Sequence, residues 1–267
     1  MSLARAGKGS GLADSSVDRA AIKAFSDRYG HQELGPVCVI LPAFQEERSI
    51  GRVLDSVPDE VCGIQTHKLV VIDGCTDRSA EVAAEHGAFV CESPVNRGQG
   101  AALRLGYRLA LEHETQYVVT VDADGQWDSA EMERLVKPLV DRTADFVQGS
   151  RRLGWAANED KVRAAGVLVF AALINALTGA KVTDSSSGFR AMRTDVLADL
   201  ALEQDQYQAS ELLIAVLARG FRVVERPVTM KARTAGRSKK GSNLAYGAHY
   251  AGVIFKTWLR ERNRVRR

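Results

Sequence analysis

Tyr117-Val118-Val119-Thr120-Val121-Asp122-Ala123-Asp124-Gly125-Gln126 is the stretch on which the reading of this chain turns. Tyr117–Val121 is β-branched and aromatic, which suits a short buried strand. At its end two aspartates stand one residue apart beside a glycine. Like charges so close repel each other unless something positive lies between them. A hard divalent cation, Mg2+ or Mn2+, fits there, with the Gln126 amide oxygen as a neutral third ligand and the phosphates of a bound molecule completing the shell. A plain Asp-Gly turn uses the same residues. The position after an apolar strand and before a helix start favours Asp122, Asp124 and Gln126 as a metal site.

Outward from this stretch, short apolar runs at Val37–Leu41, Leu69–Ile72, Phe89–Cys91 and Phe146–Gln148 alternate with helical spacings. The helical spacings are Ile50, Val53, Leu54 and Val57; Ala102, Leu105 and Leu109 within Gly98–Glu112; and Met132, Leu135, Val136 and Leu139 within Ala130–Val140. Such alternation predicts an α/β fold, a mostly parallel central sheet with helices on both faces. Ligands then bind at the carboxyl ends of the strands. Besides Asp122, two such ends carry acids. Asp73, in Asp73-Gly74-Cys75-Thr76-Asp77, is placed to accept hydrogen bonds from a nucleobase, while Asp77 reads as a helix cap. Glu46, in Leu41-Pro42-Ala43-Phe44-Gln45-Glu46, either faces the same edge or caps the next helix. Arg97-Gly98-Gln99-Gly100 opens a helix whose N–H groups could cradle phosphate, but it matches neither the dinucleotide-binding nor the P-loop pattern.

Composition sets the outer limits. The chain has 267 residues, 45% hydrophobic and 26% charged, enough for a sizeable core. A net charge of +3, without interleaved aromatic and basic residues, argues against a nucleic-acid partner. Cys38, Cys62, Cys75 and Cys91 form no C-x-x-C pair and read as reduced thiols of a cytoplasmic protein. No signal peptide and no membrane-spanning run stand out, so membrane contact would be peripheral. Residues 1–35 read as a loose tail with a short helix near Val17–Tyr29, residues 36–242 as the main domain, and 243–267 as an amphipathic helix with a basic tail. Within the second half, Val162–Leu177 and Ser210–Arg219 read as helices, Phe221–Met230 as a strand and Lys231–Ser242 as a basic loop. Ala164–Ile174 is apolar all round, so it is either buried or in lipid. Tyr246, Tyr250, Ile254, Phe255 and Trp258, followed by Arg260, Arg262, Arg264, Arg266 and Arg267, suit an anionic membrane surface or a solvated tail.

In order along the chain, Pro42–Glu47, Asp73–Asp77, Asn96–Ala101, Asp122–Gln126, Gly149-Ser150-Arg151, Asp184 with Ser187-Gly188-Phe189-Arg190, and Arg233 with Gly236, Ser238 and Lys239 resemble the family 2 glycosyltransferases. The likeness is nearest to their dolichyl- or polyprenyl-phosphate mannose and glucose synthase branch and covers about Val37 to Ser242. It implies the GT-A fold and a metal held by Asp122, Asp124 and Gln126. It also implies a donor pocket drawn from Pro42, Ala43, Phe44, Glu46, Asp73, Gly98, Gly100, Asp122, Ala123, Asp124, Arg233 and Ser238. Arg151, Arg163 and Arg190 are implied at acceptor or donor phosphates, and Asp124, Arg151, Glu211 and Lys239 in catalysis, the last from a lid-like basic loop. Two departures concern the base bound: Gln45 stands where the family usually has Asn, and Ile72-Asp73 replaces a paired Asp-Asp.

The implied reaction is inverting transfer of mannose or glucose from a GDP- or UDP-linked donor to a polyprenyl or dolichyl phosphate. The expected setting is the cytoplasmic face of a membrane, by interfacial attachment or through a membrane-anchored partner. A phosphate monoester acceptor is already anionic and needs orientation rather than a base. A hydroxyl acceptor, a small metabolite or glycan, needs a base, and Glu211 stands where many family members keep a catalytic acid or base; with a lipid phosphate it would instead organise Arg or Lys neighbours. A non-catalytic nucleotide-sugar-binding or docking subunit is the third reading. A nucleotidyltransferase fits less well, because Pro42–Glu47 occupies the place of its Gly-rich, Arg-containing loop.

Overall fold

The structure is a computed structural model that describes residues 11–12, 15–30, 32–157, 161–232 and 244–265. In chain order the elements are β1 (Gly11–Leu12), α1 (Ser16–Tyr29), β2 (Val37–Ala43), α2 (Ile50–Ser56), β3 (Glu60–Val61), β4 (Ile64–Asp73), α3 (Ser79–Glu85), β5 (Phe89–Ser93), α4 (Gln99–Glu112) and β6 (Tyr117–Thr120). They continue with α5 (Met132–Val140), β7 (Phe146–Ala156), α6 (Lys161–Thr178), β8 (Arg190–Arg193), α7 (Thr194–Ala198), β9 (Ala201–Leu202), α8 (Gln208–Ala218), β10 (Val223–Met230) and α9 (Leu244–Val265).

The α/β expectation holds. An eight-stranded sheet runs β10-β7-β8-β6-β2-β4-β3, with β5 also paired to β4. β5, β4, β2 and β6 are mutually parallel, as are β7 and β10. Alternate residues of each strand face opposite sides, and helices cover both. Val39, Leu41, Val70, Ile72 and Val119 pack with α2 and α5 residues such as Leu54 and Leu135. Cys38, Ile40, Leu69, Val71 and Val118 pack with Leu105 and Leu109 of α4, Leu212 and Leu213 of α8, and Ile254 of α9.

β8 was not legible, because Arg190-Ala191-Met192-Arg193 has no β-branched run. It is a strand because it lies antiparallel between β6 and β7, with Arg190 opposite both Thr120 and Gln148. Antiparallel pairing brings the start of β8 to the end of β6, and so delivers Gly188 and Arg190 beside Asp122.

Within residues 1–35, the described stretches 11–12 and 15–30 pack onto the main domain. β1 pairs in parallel with β9, and α1 begins at a capping box between Ser15 and Asp18. Phe25 is buried against Tyr29, Phe89 and His113. In α6, Val167, Ala171 and Ile174 are buried while Leu168 and Val169 are 46% and 63% exposed, so one face packs inward and the other is open. No helix among the described residues is long and apolar enough to cross a membrane. The four cysteines are free thiols.

At the far end of the sheet, Asp145 gathers Arg222, through N–H at 2.9 Å and Nη2 at 2.8 Å, with Arg193 Nη1 at 3.4 Å. The Arg222 guanidinium holds the Asp145 carboxyl down at about 2. A depressed carboxylate stabilises the fold above its unfolded value of about 3.9 and loses that contribution as pH falls through the folded value. Asp145→Asn should therefore be less stable than wild type in denaturant melts at neutral pH. That gap should close between about pH 4 and about pH 2, modestly in size because Arg222 is open to solvent. A gap that persists unchanged to the acid end would refute the assignment.

Candidate active site

The end of β6 carries the candidate site. Asp122 is held by two neutral donors: Gln99 Nε2 at 2.5 Å to Oδ1 and the Trp127 indole N–H at 3.0 Å to Oδ2. Among the described residues no lysine or arginine forms an ion pair with it. Two neutral donors thus orient its carboxylate. Gly188 lies against the carboxylate: a Cβ there would sit 2.2 Å from Oδ2 and 2.7 Å from Oδ1. Asp124 is 9% exposed and its Oδ1 accepts the Gln126 N–H at 3.1 Å. Gln126 Nε2 reaches the Lys231 carbonyl at 3.4 Å, and the Gln126 carbonyl accepts the Lys231 N–H at 2.6 Å. No group of three or more His, Cys, Asp or Glu among the described residues gathers to hold a metal. The residues present still fit a hard cation: two oxygen-bearing acids at a strand end, an amide beside them, and a Cβ-free cradle that leaves Asp122 its place.

Behind Asp122 is a pocket lined by Pro42, Gln99, Gly188, Arg190 and Gln208 among others. Arg190 and Gln208 are each 2% exposed. Arg190 Nε donates to the Ser187 carbonyl at 2.6 Å, while its Nη1 and Gln208 Oε1 are buried with no hydrogen-bond partner. Burial pushes the Arg190 guanidinium down, and neighbouring Asp122 and Asp184 oppose the shift.

Arg151, expected at a phosphate, is placed otherwise. It is 7% exposed and bidentate to the fully buried Asp184, Nε to Oδ2 at 2.7 Å and Nη2 to Oδ1 at 3.0 Å. Nη2 also donates to Ser186 Oγ at 2.8 Å, and the guanidinium sits 5.7 Å from the Trp127 ring centroid. A fork already closed on a carboxylate has its charge compensated. In this arrangement Arg151 braces the Asp184–Gly188 strap and the indole that holds Asp122.

Glu211, too, is engaged with an arginine. It is fully buried, and accepts the N–H groups of Glu203 at 2.9 Å and Gln204 at 2.9 Å together with Arg260 Nη2 at 3.0 Å. A base must reach the proton it takes, and these bonds commit both oxygens to the 203–204 backbone and α9. Glu211→Gln puts an amide N–H against those donors and should cost about 2 kcal/mol of stability. Turnover of the folded fraction should stay within about tenfold. Thermal melts with active-site-normalised rates separate the two effects, and a stable but inactive protein would restore Glu211 as the base.

The phosphate cradle expected at Gly98 and Gly100 is also occupied. The Gly98 N–H donates to Asp73 Oδ2 at 2.7 Å and the Gly100 N–H to the Asp205 carbonyl at 2.7 Å. These glycines serve close approach instead: a Cβ on Gly100 would lie 2.0 Å from the Gln204 carbonyl oxygen, and Gly98 has φ +97°. Asp73 is 3% exposed and also accepts the Arg97 N–H at 2.9 Å, so it anchors the loop after β5. Burial pushes the Asp73 carboxyl up against those two bonds.

At the β2 end, Pro42, Ala43 and Phe44 lead into Gln45, which at φ +56° cross-links the two loops through Thr76 Oγ1 at 2.7 Å and the Asp77 N–H at 3.2 Å. Asn tolerates positive φ better than Gln, which gives the departure from the family's usual residue a local conformational cost. Asp77 accepts the Ser79 N–H at 3.1 Å at the start of α3, and Glu46 accepts Ser49 Oγ at 2.7 Å before α2. Asp77 receives a helix-start N–H, whereas the Glu46 carboxylate receives a side-chain hydroxyl. Ala123 is buried between the two aspartates. Arg233, Ser238 and Lys239 lie outside the described residues, as does the side chain of Arg163. The Asp122 supports Gln99, Trp127 and Gly188 escaped the sequence reading. Gln99 and Gly188 stood inside quoted motifs, but nothing in the spacing pointed them at Asp122.

Comparison with known proteins gives the family and the fold. The model for glycosyl transferase family 2 matches residues 38–201. The dolichyl-phosphate hexose transferase of Haloferax volcanii is 33% identical over 231 residues, 86% of this chain and 96% of its own length. The polyprenol monophosphomannose synthase of Mycolicibacterium smegmatis is 32% identical over 227 residues, 77% of this chain and 82% of its own. Among solved structures, glucosyl-3-phosphoglycerate synthase from Mycobacterium tuberculosis, in complex with Mn2+, uridine diphosphate and phosphoglyceric acid, superposes with a TM-score of 0.64 at 22% identity, over 93% of this chain and 83% of that one. The chain belongs to glycosyl transferase family 2. It has the GT-A fold and is a nucleotide-sugar-dependent glycosyltransferase, similar to the polyprenyl-phosphate sugar synthases of that family.

Proposed function

We propose that this enzyme moves a hexose, mannose or glucose, from a GDP- or UDP-linked donor to a polyprenyl phosphate at a membrane surface, inverting the anomeric centre. The observation that carries the acceptor class is the sequestration of Glu211. With that carboxylate committed to backbone N–H groups and Arg260, an acceptor that arrives already ionised fits better than a hydroxyl needing a base. The names of the two relatives, a dolichyl-phosphate hexose transferase and a polyprenol monophosphomannose synthase, support the same class.

In this reading Asp122, Asp124 and Gln126 hold Mg2+ or Mn2+, which when bound offsets the negative charge that builds on the leaving nucleoside diphosphate. Manganese beside uridine diphosphate in the similar fold is in keeping with that cation. Gln99 and Trp127 fix the Asp122 carboxylate, and Arg151 braces Trp127 from behind. Asp73 shapes the nucleoside pocket through the 97–98 loop, while Pro42, Ala43, Phe44 and Glu46 form its β2 side. Arg190, buried at the pocket wall, supplies positive potential toward incoming phosphates. Arg163, Arg233, Ser238 and Lys239 complete the phosphate contacts and the lid.

Membrane contact is supported by the open apolar residues Leu168 and Val169 on α6, and Phe255 and Leu259, one turn apart on α9 and 50% and 39% exposed. Arg262 stacks on Trp258 beside them, its guanidinium 5.0 Å from the ring centroid. Aromatics next to arginine suit the headgroup region of an anionic bilayer. The test presents purified enzyme with a panel of nucleotide sugars and a short polyprenyl phosphate, with and without chelator. Lipid-linked sugar should form from one donor and stop on chelation. Transfer only to hydroxyl acceptors would defeat the acceptor assignment, and full activity after exhaustive chelation would defeat the metal assignment.

A further inference from the structure

We propose that α1, which precedes the family-matched region, is a working part of the donor site: Asp18 positions the Arg97–Gln99 loop, and through it both Asp73 and Asp122. The inference rests on the donor reading above and adds residues to it.

Arg97 reaches from the loop to the first turn of α1. Its Nη1 donates to Ser15 Oγ at 2.9 Å and to Asp18 Oδ2 at 3.3 Å, and Nη2 pairs with Asp18 Oδ1. Asp18 is 4% exposed and also closes the capping box, its Oδ2 accepting the Ser15 N–H at 3.0 Å. Burial works to raise its pKa, but the bonds from Arg97 and Ser15 outweigh it and hold the carboxyl below its ordinary value. A helix cap needs no arginine, and a surface arginine needs no buried aspartate; the pair makes sense as a tether between α1 and the loop.

The tethered loop touches both halves of the site in consecutive residues. The Arg97 and Gly98 N–H groups hold Asp73 at the end of β4, at 2.9 and 2.7 Å. Gln99 Nε2 holds Asp122 after the end of β6, at 2.5 Å. Displacing the loop therefore loosens the nucleoside side and the cation side together. Without the Asp18 charge, the Arg97 guanidinium is left near Asp73 and Asp205 and can swing toward them, pulling the loop out of register.

α1 does not depend on this pair for its own attachment. Phe25 and Tyr29 pack against Phe89, and the Tyr29 hydroxyl accepts the Val90 N–H at 3.1 Å. Asp18→Asn should accordingly fold, which makes the effect readable as binding.

The experiment measures the affinity of the full chain for UDP and for GDP, each with Mn2+, by titration calorimetry, with the donor KM, kcat and melting temperature alongside. Asp18→Asn and Arg97→Ala should each weaken nucleotide binding on the order of tenfold. The double variant should be no worse than Arg97→Ala alone. Asp18→Glu, which keeps the charge, should recover most of the affinity, and kcat should fall less than KM rises. Unchanged nucleotide affinity in Asp18→Asn, with or without a lower melting temperature, overturns the inference while leaving the donor site standing. Absence of nucleotide binding by the wild type overturns both.

Discussion

Replacing Asp124 by Asn is expected to reduce turnover on the order of 10³-fold, roughly 4 kcal/mol of lost transition-state stabilisation. The change is nearly isosteric, and Asp124 Oδ1 accepts the Gln126 N–H at 3.1 Å. An amide oxygen can still accept that bond, so the loop after β6 should keep its shape and the fold its stability. What disappears is one of the two formal charges of the cation site proposed at Asp122 and Asp124. Weaker cation binding follows, and raising Mn2+ should recover part of the activity. The measurement is kcat as a function of Mn2+ for wild type and variant, beside a thermal melt. A variant that turns over normally at ordinary Mn2+ would remove Asp124 from the site, and one that unfolds would show that its role is structural.

The order of strands and helices was legible because the parallel strands at the centre of the sheet are buried on both faces, so each announces itself as an apolar run: Val37–Leu41, Leu69–Ile72 and Tyr117–Val121 all lie within or overlap observed strands. β8 was hidden for the opposite reason. Its pairing is set by neighbours distant in sequence, and two of its four residues are arginines. The same contrast runs through the site. Asp122 and Asp124 stand out because paired carboxylates at a strand end are costly without a ligand. Whether an arginine is free or committed is a tertiary fact: nothing near Arg151 in sequence reveals that Asp184 closes its fork. Likewise Glu211 lies in an inviting helix start, and only the fold brings the 203–204 backbone and Arg260 onto its oxygens. The N–H groups of the Arg97–Gly100 run suggest a phosphate cradle, whereas the neighbours that need the room at its glycines are the carbonyls of Gln204 and Asp205. Local chemistry was readable; partner choice was not.

Gly188→Ala should lower kcat/KM about 10²-fold, the scale expected when a reacting group is displaced by about 1 Å, and should cost about 1–3 kcal/mol of stability. Gly188 does not adopt the positive φ that would penalise alanine, so the backbone tolerates a methyl group. The carboxylate does not: the new Cβ would stand 2.2 Å from Asp122 Oδ2 and 2.6 Å from Cγ, far inside van der Waals contact. Asp122 is not the far end of a long flexible chain and has one effective escape, rotation about χ1. That rotation breaks its bonds to Gln99 at 2.5 Å and Trp127 at 3.0 Å, moves one oxygen ligand away from Asp124, and leaves the indole N–H behind without a partner. The strap itself is pinned from the other side, since Thr120 Oγ1 donates to the Gly188 carbonyl at 3.0 Å and Arg151 grips Asp184 and Ser186, so it has little freedom to retreat. The variant should therefore fold, melt below the wild-type temperature and need more Mn2+ for half-maximal rate, the last of which a general packing defect would not produce. Wild-type turnover in Gly188→Ala would mean that Asp122 can leave its present position without consequence, and the cation would then have to be held by other groups.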